Sequence, residues 1–350
     1  MSNVRVGLVG CGKIAQTHAA ALNALDEADF VAVCDVDEGR ARAFASQHGV
    51  SKVYSDVGEL LRSGGVDAVI VCTPHPFHAP VAIAAAETGV HVLCEKPISD
   101  KLSEAYRMVE AADRAGIKFS AVFQRRWWPA CQRVREAIDS GRLGQLTLGE
   151  CVSKLWRSAD YFASDPWRGK WATEGGGALM NQAVHTVDMF QWFMGPAVEV
   201  VGRYATLIHG DYIDVEDTAV ATVVFANGAL GTILAATTIK PDFGFRVTVH
   251  GATGATLSVW ENPEGQQGVN DVWTLPGEEE RRAGWEHEDR GKPGFPLFHQ
   301  MQIQDFLQAV RDDRPPTVAG AEGIKSLEIK QAIYESSRTG NPIRLPMSPA

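Results

Sequence analysis

The sequence has no Cys-x-x-Cys pair; its six cysteines stand apart at positions 11, 34, 72, 94, 131 and 151. Four of them lie in or beside apolar, strand-like runs, where a small thiol packs as a buried residue, so a reducing cytoplasm is the expected compartment. No stretch approaches the ~18 apolar residues of a membrane span. Met1 leads almost directly into the apolar run Val4–Val9, with no basic leader and no cleavage site. Basic residues are outnumbered, 33 Lys and Arg against 43 Asp and Glu, for a formal net charge of -10. That balance argues against nucleic acid or an anionic membrane as partner, since both are held by clustered cations. Internal repeats and low-complexity tracts are also absent.

What remains has the composition of an ordinary globular enzyme, 45% hydrophobic and 22% charged. Its 350 residues are more than one hydrophobic core usually serves, so two domains are expected. Val4–Val9, Phe30–Cys34, Ala68–Cys72, Val90–Cys94 and Phe119–Phe123 read as buried strands, separated by segments with helical spacing. Such alternation predicts an α/β domain over 1–122, a doubly wound parallel sheet. Residues 123–350 read as an α+β domain with a large, mostly antiparallel open sheet. Its segments Leu146–Leu155, Val198–Leu207, Thr218–Phe225, Leu230–Thr238 and Phe245–Gly251 alternate apolar and polar residues, and Ala226-Asn227-Gly228 suits a hairpin. Helices are expected over Ala178–Phe193, Gln300–Val310 and Gly323–Ser337. The Gly-, Glu- and Arg-rich stretch Glu261–Lys292 reads as an insertion or mobile loop.

The first strand runs straight into Gly10-Cys11-Gly12-Lys13-Ile14-Ala15 and then a helix. Gly10 permits the tight turn, Gly12 lets a pyrophosphate reach the backbone, and Ala15 permits close helix–strand packing. The helix N-terminus offers N–H groups to the phosphates. Glycines in that pattern, after a strand that opens an alternating domain, mark a dinucleotide site. Asp35 ends the second strand, where a carboxylate accepts from the adenosine ribose and repels a 2′-phosphate. NAD is therefore expected over NADP, with Arg40 the nearby group that could receive the extra phosphate.

Lys96, in Cys94-Glu95-Lys96-Pro97, leaves the carboxyl end of a strand, where a parallel sheet opens toward its ligand. Glu95 could orient or pair with the ammonium. The run Glu174-Gly175-Gly176-Gly177 opens a predicted helix on which Asn181 and His185, four apart, share a face. A histidine there can take a hydroxyl proton as hydride leaves the same carbon, with a lysine stabilising the alkoxide. Trp156, Arg157, Trp167, Arg168 and Trp171 cluster before the glycines, and flat rings with guanidinium groups suit sugars and anionic substituents. The spacings His75-x-x-His78 and His185-x-x-Asp188 are ligand-like, but no compact cluster accompanies them and no metal is expected.

The glycine turn, Thr73-Pro74 followed by His78, Glu95-Lys96-Pro97 and the triple-glycine segment carrying His185 together resemble the Gfo/Idh/MocA oxidoreductases. Arg126 followed by Pro129, and the ending Ala332-Ile333-Tyr334-Glu335-Ser336-Ser337, extend the resemblance along the chain. It implies a Rossmann domain holding NAD through Gly10, Cys11, Gly12, Lys13, Ile14, Asp35 and Arg40. Thr73, Pro74, His75, His78, Glu95 and Lys96 would stand on the nicotinamide side. It also implies Lys96 and His185 as the catalytic pair; from the residues themselves, Trp167 and Arg168, nearest the glycine run, are the preferred substrate contacts, with Asn181, Arg126 and His299 as further ones. The inositol dehydrogenase branch has an aspartate where this chain has Asn181. Met-Asn-Gln-x-x-His is similar to branches acting on modified or nucleotide-linked sugars.

The expected activity is NAD-dependent oxidation of a secondary hydroxyl of a sugar, sugar derivative or polyol. The same residues also admit an NAD-dependent glycosidase that oxidises C3 transiently, eliminates the aglycone and returns the hydride. A non-catalytic sugar or NAD sensor is a third possibility, against which retention of Lys96 and His185 counts. The free face of the second sheet suggests a homodimer or homotetramer.

Overall fold

In the computed structural model, which describes residues 3–348, the chain divides into two compact units. The first holds the chain up to Gln124 together with Phe295–Ile324; the second holds Arg125–Gly294 and the chain from Lys325 onward.

In the first unit six strands form one parallel sheet: β1 Val4–Val9, β2 Ala28–Cys34, β3 Lys52–Tyr54, β4 Ala68–Val71, β5 His91–Cys94 and β6 Phe119–Ala121. Their order is β3-β2-β1-β4-β5-β6, with the reversal between β1 and β4 that makes a crevice at the carboxyl ends. Helices cover both faces, which is why β4 is buried at every residue and shows no alternation. Five of the six strands follow the apolar runs. Only β3, three residues long with Lys52 exposed, leaves no periodic signal.

Residues 295–324, expected in the second domain, belong to the first. The helix Leu297–Arg311 carries Ile303, Phe306, Leu307 and Val310 on one stripe, and these join the core of Leu8, Ala15, Ala19 and Leu22. β6 ends the sheet and would expose an unpaired strand edge. The Gln302 amide covers it, accepting from Phe123 N (3.0 Å) and donating to Ala121 O (2.7 Å), while Ser120 Oγ donates to Val318 O (2.7 Å).

The second unit is built on β7 Leu146–Lys154, β8 Ala197–Ala205, β9 Thr218–Phe225, β10 Leu230–Ala236, β11 Gly244–Gly251, β12 Thr256–Glu261 and β13 Ile343–Arg344. The order is β12-β11-β7-β10-β9-β8-β13, antiparallel throughout except between β7 and β10. A hairpin joins β9 to β10 through Ala226–Ala229. The helix Val184–Met194 lies on β7 and β11 with all but Trp192 of its residues buried. On the opposite face of the sheet Leu148, Val201, Val220 and Leu230 are exposed among Glu150, Thr222 and Thr232.

The segment Glu261–Lys292 is not a featureless loop. It contains the helix Glu279–Asp289 and pairs back through the bridges Trp260–Val269 and Leu257–Trp273. Several of its polar groups have fixed partners: Arg133 binds Asn270 (3.0 Å) and the buried Asp289 (2.8 Å), and Arg142 binds Glu278 (2.7 Å). Composition alone suggested mobility because these charges look solvated until the partner is known.

Replacing Gln302 by Leu removes the amide that accepts from the Phe123 N–H and donates to the Ala121 carbonyl. A loss of about 1–3 kcal/mol in unfolding free energy is expected in urea titrations.

Candidate active site

Gly10 holds φ +93°, and a Cβ there would stand 2.7 Å from the Cys72 carbonyl oxygen, so only glycine fits between β1 and β4. Gly12 faces open space and begins the helix Lys13–Asn23, which has no side-chain cap. Its first N–H groups are therefore available to an anion. Lys13 is exposed on the first turn and Ile14 packs on the core. The buried Asp35 carboxylate accepts Cys11 N–H (2.8 Å) and Asp37 N–H (2.9 Å), with Arg40 Nη1 3.5 Å away. The carboxylate thus braces the glycine turn it stands beside. Thr73 Oγ1 is buried with no partner among the described residues. A turn open at the backbone, an uncapped helix and an orphaned hydroxyl at the end of the next strand fit a dinucleotide.

Pro74 is exposed and His75 buried. His78 is fully buried, with Nδ1 2.9 Å from Pro97 O and Nε2 2.8 Å from Thr73 O. His78 lies between these two carbonyls; burial lowers its pKa, and the neutral ring has one N–H to give to one of them. Lys96, half-buried, follows β5, and Glu95 Oε2 accepts its backbone N–H at 3.0 Å. Glu95 Oε1 meets His18 Nε2 at 2.7 Å. Burial would raise the Glu95 carboxyl, but the His18 hydrogen bond and the charges of His18, Lys96 and His299 outweigh it and hold it at about 2.

His299 was expected to reach a substrate from the second domain. It lies in the first unit, buried, edge-on to His18 (ring centroids 5.3 Å) and stacked on Phe295 (5.0 Å). His18, Glu95 and His299 are the one group with metal-ligand proximity among the described residues, their donor atoms within 4.8 Å. The direct 2.7 Å contact is shorter than the roughly 3.4 Å between two ligands of one tetrahedral ion. In this geometry Glu95 and His18 share a direct hydrogen bond, with the His299 ring edge-on to His18.

In the second unit, Gly177 lies against the backbone of Glu216, where a Cβ would stand 2.0 Å from the carbonyl oxygen. The fully buried Glu216 side chain accepts Gly177 N–H and Leu179 N–H, each at 2.8 Å, and the Tyr334 hydroxyl at 2.9 Å. Burial pushes its carboxyl up to about 7 despite these donors. Pulled open in this way, Ala178–Gln182 forms a single π-turn; Ala183 ends it, and the α-helix starts afresh at Val184. Asn181 and His185 therefore do not share one continuous helix, as their spacing had suggested. Asn181 Nδ2 donates to Glu174 Oε1 (2.5 Å), and Glu174 Oε2 accepts Gly169 N–H (2.5 Å).

His185 is buried in the first turn of the helix. One turn on, Asp188 takes a bidentate ion pair from Arg126, through Nε at 2.9 Å and Nη2 at 2.6 Å, with the guanidinium 5.1 Å from the Trp192 ring. Arg126, expected to touch substrate, clamps the helix that carries His185. Arg168 is also engaged. It pairs with Asp165 (3.0 Å), donates to Tyr161 Oη (2.5 Å) and lies over the Tyr161 and Trp167 rings. Arg157 pairs with Glu264 and lies over Tyr161.

Two family models match the chain: "Oxidoreductase family, NAD-binding Rossmann fold" over residues 4–123, and "GFO/IDH/MocA C-terminal domain" over 131–256. The inositol 2-dehydrogenase of Rubrobacter xylanophilus is 30% identical, over 97% of this chain and 92% of that protein. The chain belongs to the Gfo/Idh/MocA family. A second member, the myo-inositol 2-dehydrogenase of Thermotoga maritima, is 28% identical over 98% of both chains. Among solved structures, the WlbA dehydrogenase of Bordetella pertussis, in complex with NADH and UDP-GlcNAcA, is 32% identical with a TM-score of 0.87, over 99% of this chain and 100% of that one. The first unit of this family member is an NAD-binding Rossmann domain, and the protein is an NAD-dependent oxidoreductase.

Sequence reasoning missed His18, Tyr161, Glu174, Asp188 and Glu216 as parts of this framework. Two carried a signal: Glu174, an acid directly before three glycines, and Asp188, three residues after His185 and weighed only as a metal spacing.

The Glu95 carboxyl lies below its ordinary 4.5 in the folded state. Its contribution is present above pH 4.5 and is lost as pH falls toward 2. Between pH 5 and 2, urea unfolding of the wild type should lose about 3 kcal/mol more than that of Glu95→Gln.

Proposed function

We propose that this protein oxidises a secondary hydroxyl of a sugar, sugar derivative or polyol, with Lys96 and His185 dividing the acid–base work. The observation that carries this reading is Lys96 itself. It leaves the carboxyl end of β5 in an NAD-binding sheet, and its backbone is fixed by the ionised Glu95. Bound NAD supplies the hydride acceptor, held at Gly10, Cys11, Gly12, Lys13 and Ile14, with Asp35 retaining lone pairs for the adenosine ribose. His185 removes the hydroxyl proton as the carbon gives up hydride, and the Lys96 ammonium stabilises the negative oxygen. Thr73 offers its hydroxyl on the same side, and Asn181 meets a substrate hydroxyl.

The identity to a dehydrogenase solved with UDP-GlcNAcA, together with Asn181, supports nucleotide-linked sugar acids as the first substrates to assay, followed by inositols and free pyranoses. The proposed proton acceptor stands on a helix that Asp188 clamps to Arg126 one turn further on. Six buried free thiols support a reducing cytoplasm. No described helix is long and apolar enough to cross a membrane.

Absorbance at 340 nm should rise when NAD and the correct sugar are supplied. Lys96→Met and His185→Ala should each lower kcat by about 10²–10⁴-fold while NAD still binds. Glycoside cleavage without net reduction would replace this reading with the redox-neutral one, and inactivity across the panel would end both.

The exposed stripe Leu148, Val201, Val220 and Leu230 supports pairing of this sheet with that of a second copy, giving a homodimer or homotetramer. Light scattering should return a multiple of the 37.9 kDa chain; a monomer at micromolar concentration would overturn it.

A further inference from the structure

Glu174 is 1% exposed and lies seven residues before Asn181, across the three glycines. Its two oxygens have different partners, the Gly169 N–H on Oε2 and the Asn181 amide on Oε1, both at 2.5 Å. A carboxylate is an acceptor only, so the group it meets on Asn181 must be the NH₂. The amide oxygen of Asn181 is then the atom turned away from Glu174. The backbone on either side is fixed: Asn181 N–H donates to Gly177 O at 3.0 Å, and Glu216 holds Gly177 and Leu179.

We propose that Glu174 is a positioning residue that locks the Asn181 amide with its NH₂ inward. Position 181 therefore presents an acceptor to substrate and selects a hydroxyl or N–H donor there. This rests on Asn181 facing the substrate, as in the proposed function. It also gives a physical reason for asparagine at a position where aspartate would set two carboxylates at hydrogen-bond distance. Residue 174 and residue 181 form a matched pair, one acid and one amide.

The pair can be inverted without changing its size. In Glu174→Gln the side-chain oxygen at position 174 must still accept the Gly169 N–H, so the introduced NH₂ faces Asn181. Asn181 must then turn its oxygen inward and its NH₂ toward substrate. In Glu174→Gln with Asn181→Asp, the introduced NH₂ meets one oxygen of the introduced carboxylate and leaves the other outward, restoring an acceptor. With Asn181→Asp alone, two carboxylates face each other and must share a proton. Tyr161 and Tyr334 interact electrostatically with Glu174, and their hydroxyls in turn meet Arg168 and Glu216.

Two readouts test this on the full chain. Urea unfolding needs no substrate: Asn181→Asp should lose stability between pH 5 and 8 relative to wild type, and adding Glu174→Gln should remove that loss. With a pyranose or inositol that the wild type turns over, Glu174→Gln should lower kcat/KM about 10–100-fold, chiefly through KM. The double variant should return to within about threefold of wild type. A pH-independent cycle with no coupling between the two positions overturns the pairing itself. A coupled cycle with kcat/KM unmoved in Glu174→Gln overturns the selection at position 181. A coupled cycle in an enzyme that reduces NAD with no sugar on the panel leaves the pairing standing and rejects the functional reading instead.

Discussion

A carboxylate can be buried only where N–H and O–H groups replace the water it gives up. This protein meets that condition repeatedly, and its candidate site is assembled from the results. Asp35 takes two backbone N–H groups at the cofactor turn, and Glu95 takes the N–H of Lys96 and the ring of His18. Glu174 and Glu216 bracket the triple glycine from its two ends, while Asp188 takes Arg126. Asp217, next to Glu216, accepts from Leu207, Ile208 and His209. Asp35, Glu95, Glu174, Glu216 and Asp217 fix backbone by accepting its N–H groups, whereas Asp188 acts through a side-chain ion pair.

The two units use the same device for different ends. In the NAD-binding unit, acids brace the turn at Gly10 and the strand end at Lys96, both of which stay on an otherwise apolar sheet. In the second unit, acids open one helical turn into a π-turn just ahead of the helix start at Val184, next to His185. A group held in place in advance needs less reorganisation in whatever chemistry it takes part in.

Much of this was legible in the residues. β1, the glycine turn and its helix were marked by an apolar run, two glycines and a small residue, all local signals. β5 with Glu95-Lys96-Pro97 was legible for the same reason. The alternating strands of the second sheet declared themselves by their period of two. Long-range partners were not legible. Arg126 reads as a free cation until Asp188, 62 residues away, is placed beside it. Asn181 and His185 read as one helical face because spacing carries no record of Glu216, which opens the turn between them. His299 read as a late substrate contact because nothing local shows that its helix packs with Leu8 and Leu22. β3 and β13 are too short to carry a pattern, and β12 leads into a stretch whose composition resembles a loop.

The Gln302 amide, which accepts from Phe123 and donates to Ala121, has a consequence for how such a protein can be divided. The cofactor half is not one interval of the gene. A piece ending near residue 122 lacks the amide that stands in for a seventh strand, and it also lacks Phe306 from its core. It would present a bare, flat edge to other copies of itself. Exchange of substrate halves between related enzymes must therefore leave residues 295–324 with the cofactor half. The boundary that matters for inheritance is drawn by one glutamine, 181 residues along the chain from the strand it closes.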